Sequence, residues 1–367
     1  MISTYPISNL SIAGFKSIRD LRKFPLTNLN VLIGPNGAGK SNFVSYFRML
    51  CELVEGRLQN WTTKQGSADR IVSFGIKETK EIKSEIVFGL NAYRFSLEPT
   101  VEGEFMFTNE SLYFNGEKGL FAIPLGSGYK ESALKKVVEN DRPPGIPSYC
   151  YSSIARWKVF HFHDTSDTAG VKRLGSVHDD QYLRPDASNL AAFLYRLSRT
   201  ARKEYKGILS IIRQAVPFFD AFVFEPILLP SGEEQIRLLW RQKGSDYPLW
   251  PSQLSDGSIR FICLVTVLMQ PDPPSTIIID EPELGLHPAA IGLLGEMLHA
   301  ASTRMQVIIS TQSVELVNEF KVEELVIVER EEGASVFKRF NEGEFKEWLT
   351  EYTVGELWLK NLLGGRP

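Results

Sequence analysis

The spacing of apolar residues predicts three kinds of secondary structure along this chain. Unbroken apolar runs at 31–33 and 277–279 predict strands buried on both faces, and residues 7–12 predict a short strand near the start. Between 71 and 121 apolar and polar residues alternate, which predicts antiparallel strands. From 189 to 216 apolar residues recur at helical spacing. We therefore predict an α/β fold in which an antiparallel β insert and a helical insert accompany a buried sheet.

Turn-forming and helix-breaking residues predict where these elements end. A turn is predicted at 14–17, and Asn91 and the pair 115–116 supply turn chemistry between the alternating runs. The cluster 142–147 predicts a surface loop, and 271–274 predicts the end of the helix that precedes the second buried strand. Heptads are not sustained anywhere, so we expect no long coiled coil.

Composition excludes several classes of protein. Of the 367 residues, 43% are hydrophobic and 23% charged, and the net charge of −3 gives no overall attraction to nucleic acid. The three cysteines lie far apart and outside any Cys-x-x-Cys spacing, which argues against zinc and against a disulfide framework. A signal peptide and a long apolar run are both lacking. We therefore expect a cytoplasmic protein with no membrane span.

Residues 34–41, Gly-Pro-Asn-Gly-Ala-Gly-Lys-Ser, have the spacing of a phosphate-binding P-loop. They follow the first buried strand and precede a predicted helix at 41–55. Glycine permits backbone angles that turn several N–H groups toward a phosphate, and the helix N-terminus favours negative charge. Lys40 would reach the β- and γ-phosphates, and Ser41 would offer its hydroxyl to Mg²⁺. We predict a nucleotide-binding protein rather than a glycine-rich turn that binds nothing.

The second buried strand ends in two acids, Asp280 and Glu281. Open α/β sheets place ligands at the carboxyl ends of their strands, so these acids would face the phosphates. Asp280 would hold Mg²⁺, and Glu281 would orient and deprotonate the attacking water. Two solvated acids at a strand end are the alternative interpretation.

A second candidate phosphate contact opens the helix before this strand, in the run Leu-Ser-Asp-Gly-Ser at 254–258. Ser255 and the free N–H groups of the first turn could bind a γ-phosphate. Serine followed by Asp-Gly is also ordinary N-capping chemistry.

The order of these motifs resembles that of the ABC-type ATPases, in the RecF/SMC-like branch rather than among the transporters. The matching segments are the opening Gly-Phe-Lys-Ser-Ile at 14–18, the P-loop at 34–41, the signature at 254–258, the Walker B strand at 277–281, the D-loop at 283–288 and the switch at 310–313. The resemblance is strongest to compact AAA-family ATPases of bacterial antiphage defence operons, relatives of the overcoming-lysogenization-defect (OLD) family and of the Septu ATPase.

This resemblance implies that the whole chain, 1–367, forms one ABC-type ATPase head. It implies a P-loop lobe at 1–130, a helical and variable insert at 131–250, and a lobe at 251–367 with the signature, Walker B and switch. It also implies a Mg²⁺-dependent ATP hydrolase that works as a homodimer, in which ATP on one subunit's P-loop is closed by the other subunit's signature.

The resemblance implies these site residues. ATP would be bound by Gly34, Asn36, Gly37, Gly39, Lys40, Ser41, Asn42, Ser255 and Gly257. Glu281 and Gln312 would be catalytic, and Ser41 and Asp280 would hold Mg²⁺. Gln312 stands where a histidine is frequent; it can donate to a γ-phosphate but cannot become charged near neutral pH.

Two further groups of residues have more than one interpretation. No clear Q-loop glutamine is present, and the segment 161–166 after a predicted strand could fill that role. Its His161 and His163 could bind a metal with Asp164, or they could be polar contacts of the sheet or nucleotide-sensing positions. A basic stretch could be a solvated face or a DNA-contacting surface. Its members are Arg184, Arg196, Arg199, Arg202, Lys203 and Lys206.

The leading functional hypothesis is an ATP-driven dimeric switch, the ATPase component of an antiphage system. The larger relatives append a Toprim nuclease domain for which this chain leaves no room, so we expect the effector to be a separate protein encoded nearby. The alternative is a RecF-like DNA-binding ATPase of DNA repair. The nucleotide-binding half of a transporter and a kinase are weaker alternatives.

Overall fold

The computed structural model describes residues 5–116 and 119–366. Its strands are β1 (Ile7–Phe15), β2 (Ile18–Pro25), β3 (Leu29–Ile33), β4 (Ile82–Phe88), β5 (Asn91–Pro99), β6 (Phe105–Gly116), β7 (Gly119–Gly126), β8 (Trp157–Phe160), β9 (Gly175–Ser176), β10 (Phe219–Val223), β11 (Ile227–Leu228), β12 (Glu234–Ile236), β13 (Leu239–Gln242), β14 (Pro248–Leu249), β15 (Thr276–Asp280), β16 (Gln306–Ser310), β17 (Leu325–Glu331) and β18 (Ala334–Lys338). Its α-helices are α1 (Lys40–Val54), α2 (Leu58–Lys64), α3 (Leu134–Glu139), α4 (Ile146–Ala155), α5 (Leu190–Thr200), α6 (Arg202–Ala215), α7 (Asp256–Met269), α8 (Pro288–Ser302), α9 (Val314–Val317) and α10 (Val354–Leu359). The predicted α/β class is confirmed.

The strand that enters the P-loop lies inside a six-stranded sheet of order β18-β17-β3-β16-β15-β8. From β17 to β8 the neighbouring strands are parallel, and β18 pairs antiparallel with β17 at one edge. Parallel strands end at the same edge of a sheet. The segments that follow β3, β15, β16 and β8 therefore meet at one edge, which we call the catalytic edge.

Both faces of this sheet are covered, which explains its unbroken apolar runs. Ile277 and Ile279 are fully buried in one core with helices α5 to α8, whereas Ile278 between them is buried in a second core with α1. Successive side chains of a strand point to opposite faces, so each face requires an apolar residue of its own. Each such burial contributes roughly 1.5–3 kcal/mol relative to an exposed side chain.

The alternating region forms a second six-stranded sheet, of order β2-β1-β4-β5-β6-β7, in which every neighbouring pair is antiparallel. Helix α1 packs against both sheets. Its Tyr46 ring meets Phe15 of β1 edge-on at 5.6 Å, and its Phe47 ring meets Trp157 of β8 at 5.4 Å. The antiparallel insert is therefore fixed to the helix that begins at the P-loop.

Several predicted boundaries in this sheet are wrong, the first of them by about ten residues. Its strands after β2 begin at Ile82 rather than at 71. The turn predicted at 14–17 is narrower, because β1 continues to Phe15 and the chain re-enters the sheet at once as β2. Asn91 starts β5, and the turn before it is Gly89-Leu90, where Gly89 has a left-handed φ of 57°. The pair 115–116 lies within β6, and the residues that follow it, 117–118, lie outside the described residues.

The helical region is confirmed with one interruption. Helices α5 and α6 are separated at Ala201. The cluster 142–147 forms a loop only as far as Gly145, because Pro147 sits in the first turn of α4. Within 131–250, β8 belongs to the central sheet, and the strands from β9 to β14 form two three-stranded sheets that were not predicted. Strands of two to five residues offer too few positions to display alternation.

Helix length and apolarity in the described residues bear on two expectations. The longest helices, α1 and α8, have 15 residues each, which leaves no long coiled coil in 5–116 and 119–366. No helix within those ranges combines the length and the apolarity that a bilayer span requires.

Candidate nucleotide-binding site

Three glycines with positive φ shape the P-loop, and at two of them a larger residue would clash. Gly34 has φ 151° and Gly39 has φ 116°. A Cβ atom at Gly34 would clash with the carbonyl oxygen of Val328, and one at Gly39 with the hydroxyl of Ser335. At Gly37, where φ is 78°, nothing lies within 4 Å of the Cβ position, so the tip of the loop is open.

The backbone of the loop fits a phosphate. Within the described residues, the N–H groups of Gly39, Lys40 and Ser41 donate to no backbone carbonyl, and they open helix α1. Unpaired N–H groups at a helix N-terminus are the donor set that phosphate oxygens require. The predicted placement of the P-loop between β3 and α1 is confirmed.

Lys40 is folded over its own loop. Its side chain is only 5% exposed, and its Nζ donates to the carbonyl oxygens of Gly34 (2.5 Å) and Pro35 (3.1 Å). Burial lowers the pKa of Lys40, while the nearby carboxylates of Glu281 and Asp280 act in the opposite direction. The lysine therefore lies within electrostatic reach of the Walker B acids.

Four side chains from outside the P-loop fix its position. Ser335 Oγ on β18 lies 2.5 Å from Ala38 O and 2.7 Å from Ser17 Oγ. Asn42 Nδ2 donates to the same Ser17 oxygen at 2.7 Å. Arg330 Nη1 donates to the carbonyl oxygen of the loop's central glycine at 3.0 Å. Asn42 is therefore tied to the loop's support, whereas the side chain of Asn36 is exposed.

The two acids at the end of β15 meet the last residue of β16 and the segment that follows it. Ser310 donates its hydroxyl to Asp280, and the N–H of Glu281 donates to Ser310 O at 2.9 Å. Glu281 has a left-handed φ of 47°, which is uncommon for a residue other than glycine and recurs at functional sites. Gln312 Nε2 donates to Glu281 Oε1 at 2.5 Å. The structure thus brings Glu281 and Gln312 into direct contact.

A third acid, Glu283, holds the main chain of the same segment. Its Oε1 accepts the Thr311 hydroxyl at 2.5 Å and the Gln312 N–H at 3.1 Å. Its Oε2 is buried without a hydrogen-bond partner among the described residues. Burial raises the pKa of Glu283, and the Thr311 hydrogen bond opposes that rise.

The two histidines after β8 lie beside the Walker B strand. The rings of His161 and His163 are 4.3 Å apart, and His163 Nε2 lies 3.0 Å from the carbonyl oxygen of Asp280. Burial lowers the pKa of His161, and the neighbouring His163 lowers it further by electrostatic repulsion. Across 5–116 and 119–366, no three His, Cys, Asp or Glu side chains are grouped to hold a metal, so the metal interpretation with Asp164 gains no support. A Q-loop role for the pair stays a prediction.

Ser255 acts as the N-cap of helix α7. Its Oγ accepts the N–H of Ser258 at 3.2 Å and lies 2.9 Å from the Ser258 hydroxyl. The side chain is exposed and makes no hydrogen bond to the P-loop within the described chain. Within this chain Ser255 therefore has the contacts of an N-cap residue rather than those of a phosphate ligand.

The first turn of α7 is packed against the D-loop of the same chain. A Cβ atom at Gly257 would clash with the carbonyl oxygen of Gly285. Arg260 Nη1 donates to Leu284 O at 3.2 Å, and its Nη2 donates to His163 O at 3.0 Å. Arg260 thereby joins the signature helix to both the D-loop and the histidine segment.

The predicted site residues fall into two groups in space. One group lies at the catalytic edge: Gly34, Asn36, Gly37, Gly39, Lys40, Ser41, Asn42, Asp280, Glu281 and Gln312. The other, Ser255 and Gly257, lies at the start of α7 and contacts the D-loop instead.

No site role was predicted for Glu283, Ser335 or Arg330. Glu283 carried a signal, because it stands two residues after Glu281 in the segment that resembles a D-loop. Ser335 and Arg330 carried none, since they are ordinary polar residues of β17 and β18 that reach the P-loop through sheet pairing.

Comparison with known proteins assigns the chain to a family. Residues 29–318 match the family described as "AAA domain, putative AbiEii toxin, Type IV TA system", and the chain belongs to this family of AAA ATPase domains. A comparison with curated proteins gave no match.

Two similar solved structures are ABC-type heads of SMC proteins. An SMC head bound to the C-winged helix domain of ScpA has a TM-score of 0.59 and 15% identity, over 93% of this chain and 99% of that one. An SMC head with an extended coiled coil, bound to the C-terminal domain of ScpA derived from Pyrococcus furiosus, has a TM-score of 0.58 and 16% identity, over 94% and 98%. At such identity the likeness establishes the fold: this is an SMC-head-like ATPase fold.

Proposed function

We propose that this protein is a Mg²⁺-dependent ATP hydrolase that acts as a dimeric switch. The observation that carries the proposal is the contact between Gln312 and Glu281 at the sheet edge that also holds Lys40. A carboxylate held by an amide, next to an anion-binding loop, is suited to positioning a water molecule against a phosphate.

Each side chain at the catalytic edge has a role in this proposal. Lys40 would exchange its two carbonyl partners for phosphate oxygens, and the loop N–H groups would bind the same phosphates. The Ser41 hydroxyl and the Asp280 carboxylate offer the oxygen ligands that Mg²⁺ prefers, and the ion would neutralise phosphate charge. Glu281 would accept the proton of the attacking water, while Gln312 would hold Glu281 and donate to the γ-phosphate.

The remaining predicted contacts divide between binding and shaping. Gly34, Gly37 and Gly39 would let the backbone approach the phosphates. Asn36, exposed on the loop, would face the nucleotide, and Asn42 would keep the loop against Ser17.

Dimerisation is supported by the position of the signature. Ser255 and Gly257 open α7 without reaching the P-loop of their own chain, and Ser255 is exposed. In a two-fold arrangement each subunit would present this turn to the partner's nucleotide. Hydrolysis would then require association.

The output of the switch would lie in a second protein. The family description names a toxin and a toxin–antitoxin system, which is by definition a system of two components. A system of two components supports a second protein that works with this ATPase, whereas the antiphage role and the separate effector encoded nearby are proposed from the sequence resemblance.

The direct test compares the purified protein with its Glu281→Gln variant. The amide keeps the shape of Glu281 and its contact with Gln312 but cannot take a proton. We expect ATP hydrolysis by the parent that stops when Mg²⁺ is chelated, and a loss of about 100-fold or more in kcat in the variant. ATP should still bind the variant and shift it to a dimer in size-exclusion chromatography with light scattering. Hydrolysis by Glu281→Gln at the parental rate would place the base elsewhere.

A DNA-binding ATPase is the second candidate, and the surface of α5 and α6 favours it. Arg199, Arg202, Lys203 and Lys206 are exposed and form no ion pair within the described residues. The two other members of the basic stretch are engaged, Arg184 with Asp179 and Arg196 with backbone carbonyls. Four exposed cations on adjacent helices, none of them in an ion pair within the described residues, suit a phosphate backbone.

Binding to duplex DNA, measured by fluorescence anisotropy, tests this candidate. It predicts affinity that falls steeply between about 50 and 200 mM salt. The double substitution Arg202→Glu, Lys206→Glu should abolish binding, whereas Lys77→Glu, an exposed change on another surface, should not. If binding is absent or does not depend on salt, the DNA-binding candidate is contradicted. The effector-controlling switch then stands as the proposed function.

A further inference from the structure

We propose that Glu283 is a positioning residue that sets the place of Gln312 for hydrolysis. The proposal rests on the ATP hydrolase function proposed above and adds a residue to that site. Glu283 would touch neither water nor phosphate; it would act through the backbone of the segment that carries Gln312.

The hydrogen bonds of Glu283 define this role. One carboxylate oxygen accepts from both the Thr311 hydroxyl and the Gln312 N–H, at 2.5 and 3.1 Å. Thr311 Oγ1 accepts in turn from the N–H of Ser313 at 3.0 Å, and Ser313 caps α9. The backbone on both sides of the Gln312 side chain is therefore held from a single acid.

Gln312 is gripped at two points by two different acids. Glu283 holds its backbone N–H, and Glu281 holds its side-chain amide. With both ends fixed, the side-chain amide has little freedom to leave the carboxylate that would accept the proton. A displacement of about 1 Å in such a contact can cost 100-fold in rate.

The loop that carries Glu283 is itself anchored on its other side. Arg260 donates to Leu284 O, and Gly285 packs against the first turn of α7 so closely that Gly257 must lack a side chain. The loop that carries Glu283 therefore has, at Leu284 and Gly285, a support in the signature helix that is separate from the segment that Glu283 positions. An independently fixed support is what a positioning residue requires.

The environment of Glu283 separates its role from that of a base. Its Oε1 is occupied by two donors and its Oε2 is buried without a partner in the described structure. Burial favours the neutral carboxyl and raises the pKa of this group. Glutamine, which resembles the neutral acid, should therefore replace Glu283 far better than it replaces Glu281.

The experiment compares Glu283→Ala and Glu283→Gln with Glu315→Ala as the matched control. Glu315 is an exposed acid in the first turn of α9 that contacts the Ser313 hydroxyl but not Gln312. We expect Glu283→Ala to lower kcat by about 10- to 100-fold with an ATP dissociation constant within about threefold of the parent. Glu283→Gln should recover most of that loss because its carbonyl oxygen can accept both hydrogen bonds, and Glu315→Ala should change neither constant.

A double-mutant cycle tests whether Glu283 acts through Gln312. In a Gln312→Ala background, Glu283→Ala should reduce kcat by no more than about twofold further, because the group that it positions is already gone. Fully additive losses would mean an independent role and would overturn the proposal. A loss in Glu283→Gln as deep as in Glu281→Gln would do the same, since it would make Glu283 a base.

Hydrogen exchange supplies a readout that needs no hydrolysis. In the nucleotide-free protein, the peptide containing Gln312 should exchange faster in Glu283→Ala than in the parent, and at the parental rate in Glu315→Ala and Glu283→Gln. Unchanged exchange in Glu283→Ala overturns the positioning role. If the parent hydrolyses no ATP, the proposed function fails, whatever the exchange shows.

Discussion

At the scale of single residues, Lys40 has an arrangement that prepares it for an anion. Its ammonium group is almost fully buried, yet it is bound by two backbone carbonyls and no carboxylate directly. A buried cation with neutral partners remains incompletely compensated, and burial lowers the pKa of Lys40 accordingly. A phosphate arriving at the loop would provide the missing charge.

Lys40→Ala should therefore impair nucleotide binding rather than folding. We expect the affinity for ATP to fall by about 10- to 100-fold, the range for losing a charged hydrogen bond, with hydrolysis abolished. The midpoint of thermal unfolding without nucleotide should stay close to that of the parent, because alanine removes an incompletely paired charge. Isothermal titration with ATP and thermal unfolding measure the two effects.

The exposed lysine Lys77 provides the control for that measurement. Lys77→Ala removes the same group from an exposed residue outside the predicted site and should leave the ATP affinity unchanged. An undiminished affinity in Lys40→Ala would contradict the assignment of residues 34–41 as the phosphate-binding loop.

The sequence predicted site residues only where they belong to a recognisable local motif. The placement of Lys40, Asp280 and Glu281 at strand ends followed from glycine spacing and from acids after an apolar run, and their common edge is confirmed. Ser335 and Arg330 could not be found this way. They support the P-loop only because β18 and β17 happen to lie beside β3, and nothing in their own neighbourhood in sequence records that pairing.

At the scale of elements, the signature helix and the D-loop form one packed unit. The contact depends on Gly257, whose backbone meets that of Gly285, and on Arg260, which crosses from α7 to Leu284. The same loop continues back to Glu283 and Glu281. A shift of α7 would therefore act directly on Leu284 and Gly285, which follow the acids of the catalytic edge in the same loop.

Gly257→Ala tests this packing. The added methyl group would clash with the Gly285 carbonyl, so α7 and the D-loop must separate. We expect a loss of about 1–3 kcal/mol in the free energy of unfolding, as for overpacking elsewhere, together with a lower kcat. Urea denaturation measures the first and an ATPase assay the second.

Gly343→Ala is the matched control, because nothing lies within 4 Å of its Cβ position. It should leave both the stability and the rate unchanged. A Gly257→Ala variant that behaves like Gly343→Ala would show that the two backbones are free to move apart without consequence.

Elements were predictable in proportion to their length and to the regularity of their burial. β15 and α7 have continuous apolar content because both are enclosed, and both were predicted close to their observed bounds. β2 was missed because two exposed residues follow each buried one along most of its length, which is not the alternation of a half-buried strand. Its place in the sheet comes from pairing with β1, a constraint that lies outside its own residues.

At the scale of the whole molecule, the two groups of site residues make different contacts, and Ser255 forms no hydrogen bond to the P-loop within the described residues. The group proposed to bind phosphate lies at the catalytic edge, whereas Ser255 bonds within its own turn and Gly257 packs on the D-loop. A two-fold dimer would resolve this separation by completing each site with the other subunit's α7. In that arrangement, two inactive variants can restore activity when they are mixed, which is impossible if each site lies within a single chain.

Lys40→Ala should disable the P-loop of a subunit and leave its signature intact, and Ser255→Arg should block the signature and leave the P-loop intact. Each variant alone forms two defective sites per dimer and should hydrolyse no ATP. In a mixed dimer, however, the P-loop of the Ser255→Arg subunit faces the signature of the Lys40→Ala subunit, so one of the two sites is whole. Random pairing makes half of the dimers mixed, and an equal mixture should therefore recover up to about a quarter of the parental activity per subunit.

ATP hydrolysis is measured for each variant and for mixtures in varied ratio, with maximal recovery expected at equal amounts. Recovery requires that ATP be bound by one chain and completed by another; an equal mixture as inactive as its components would contradict the composite site and confine hydrolysis to the single subunit.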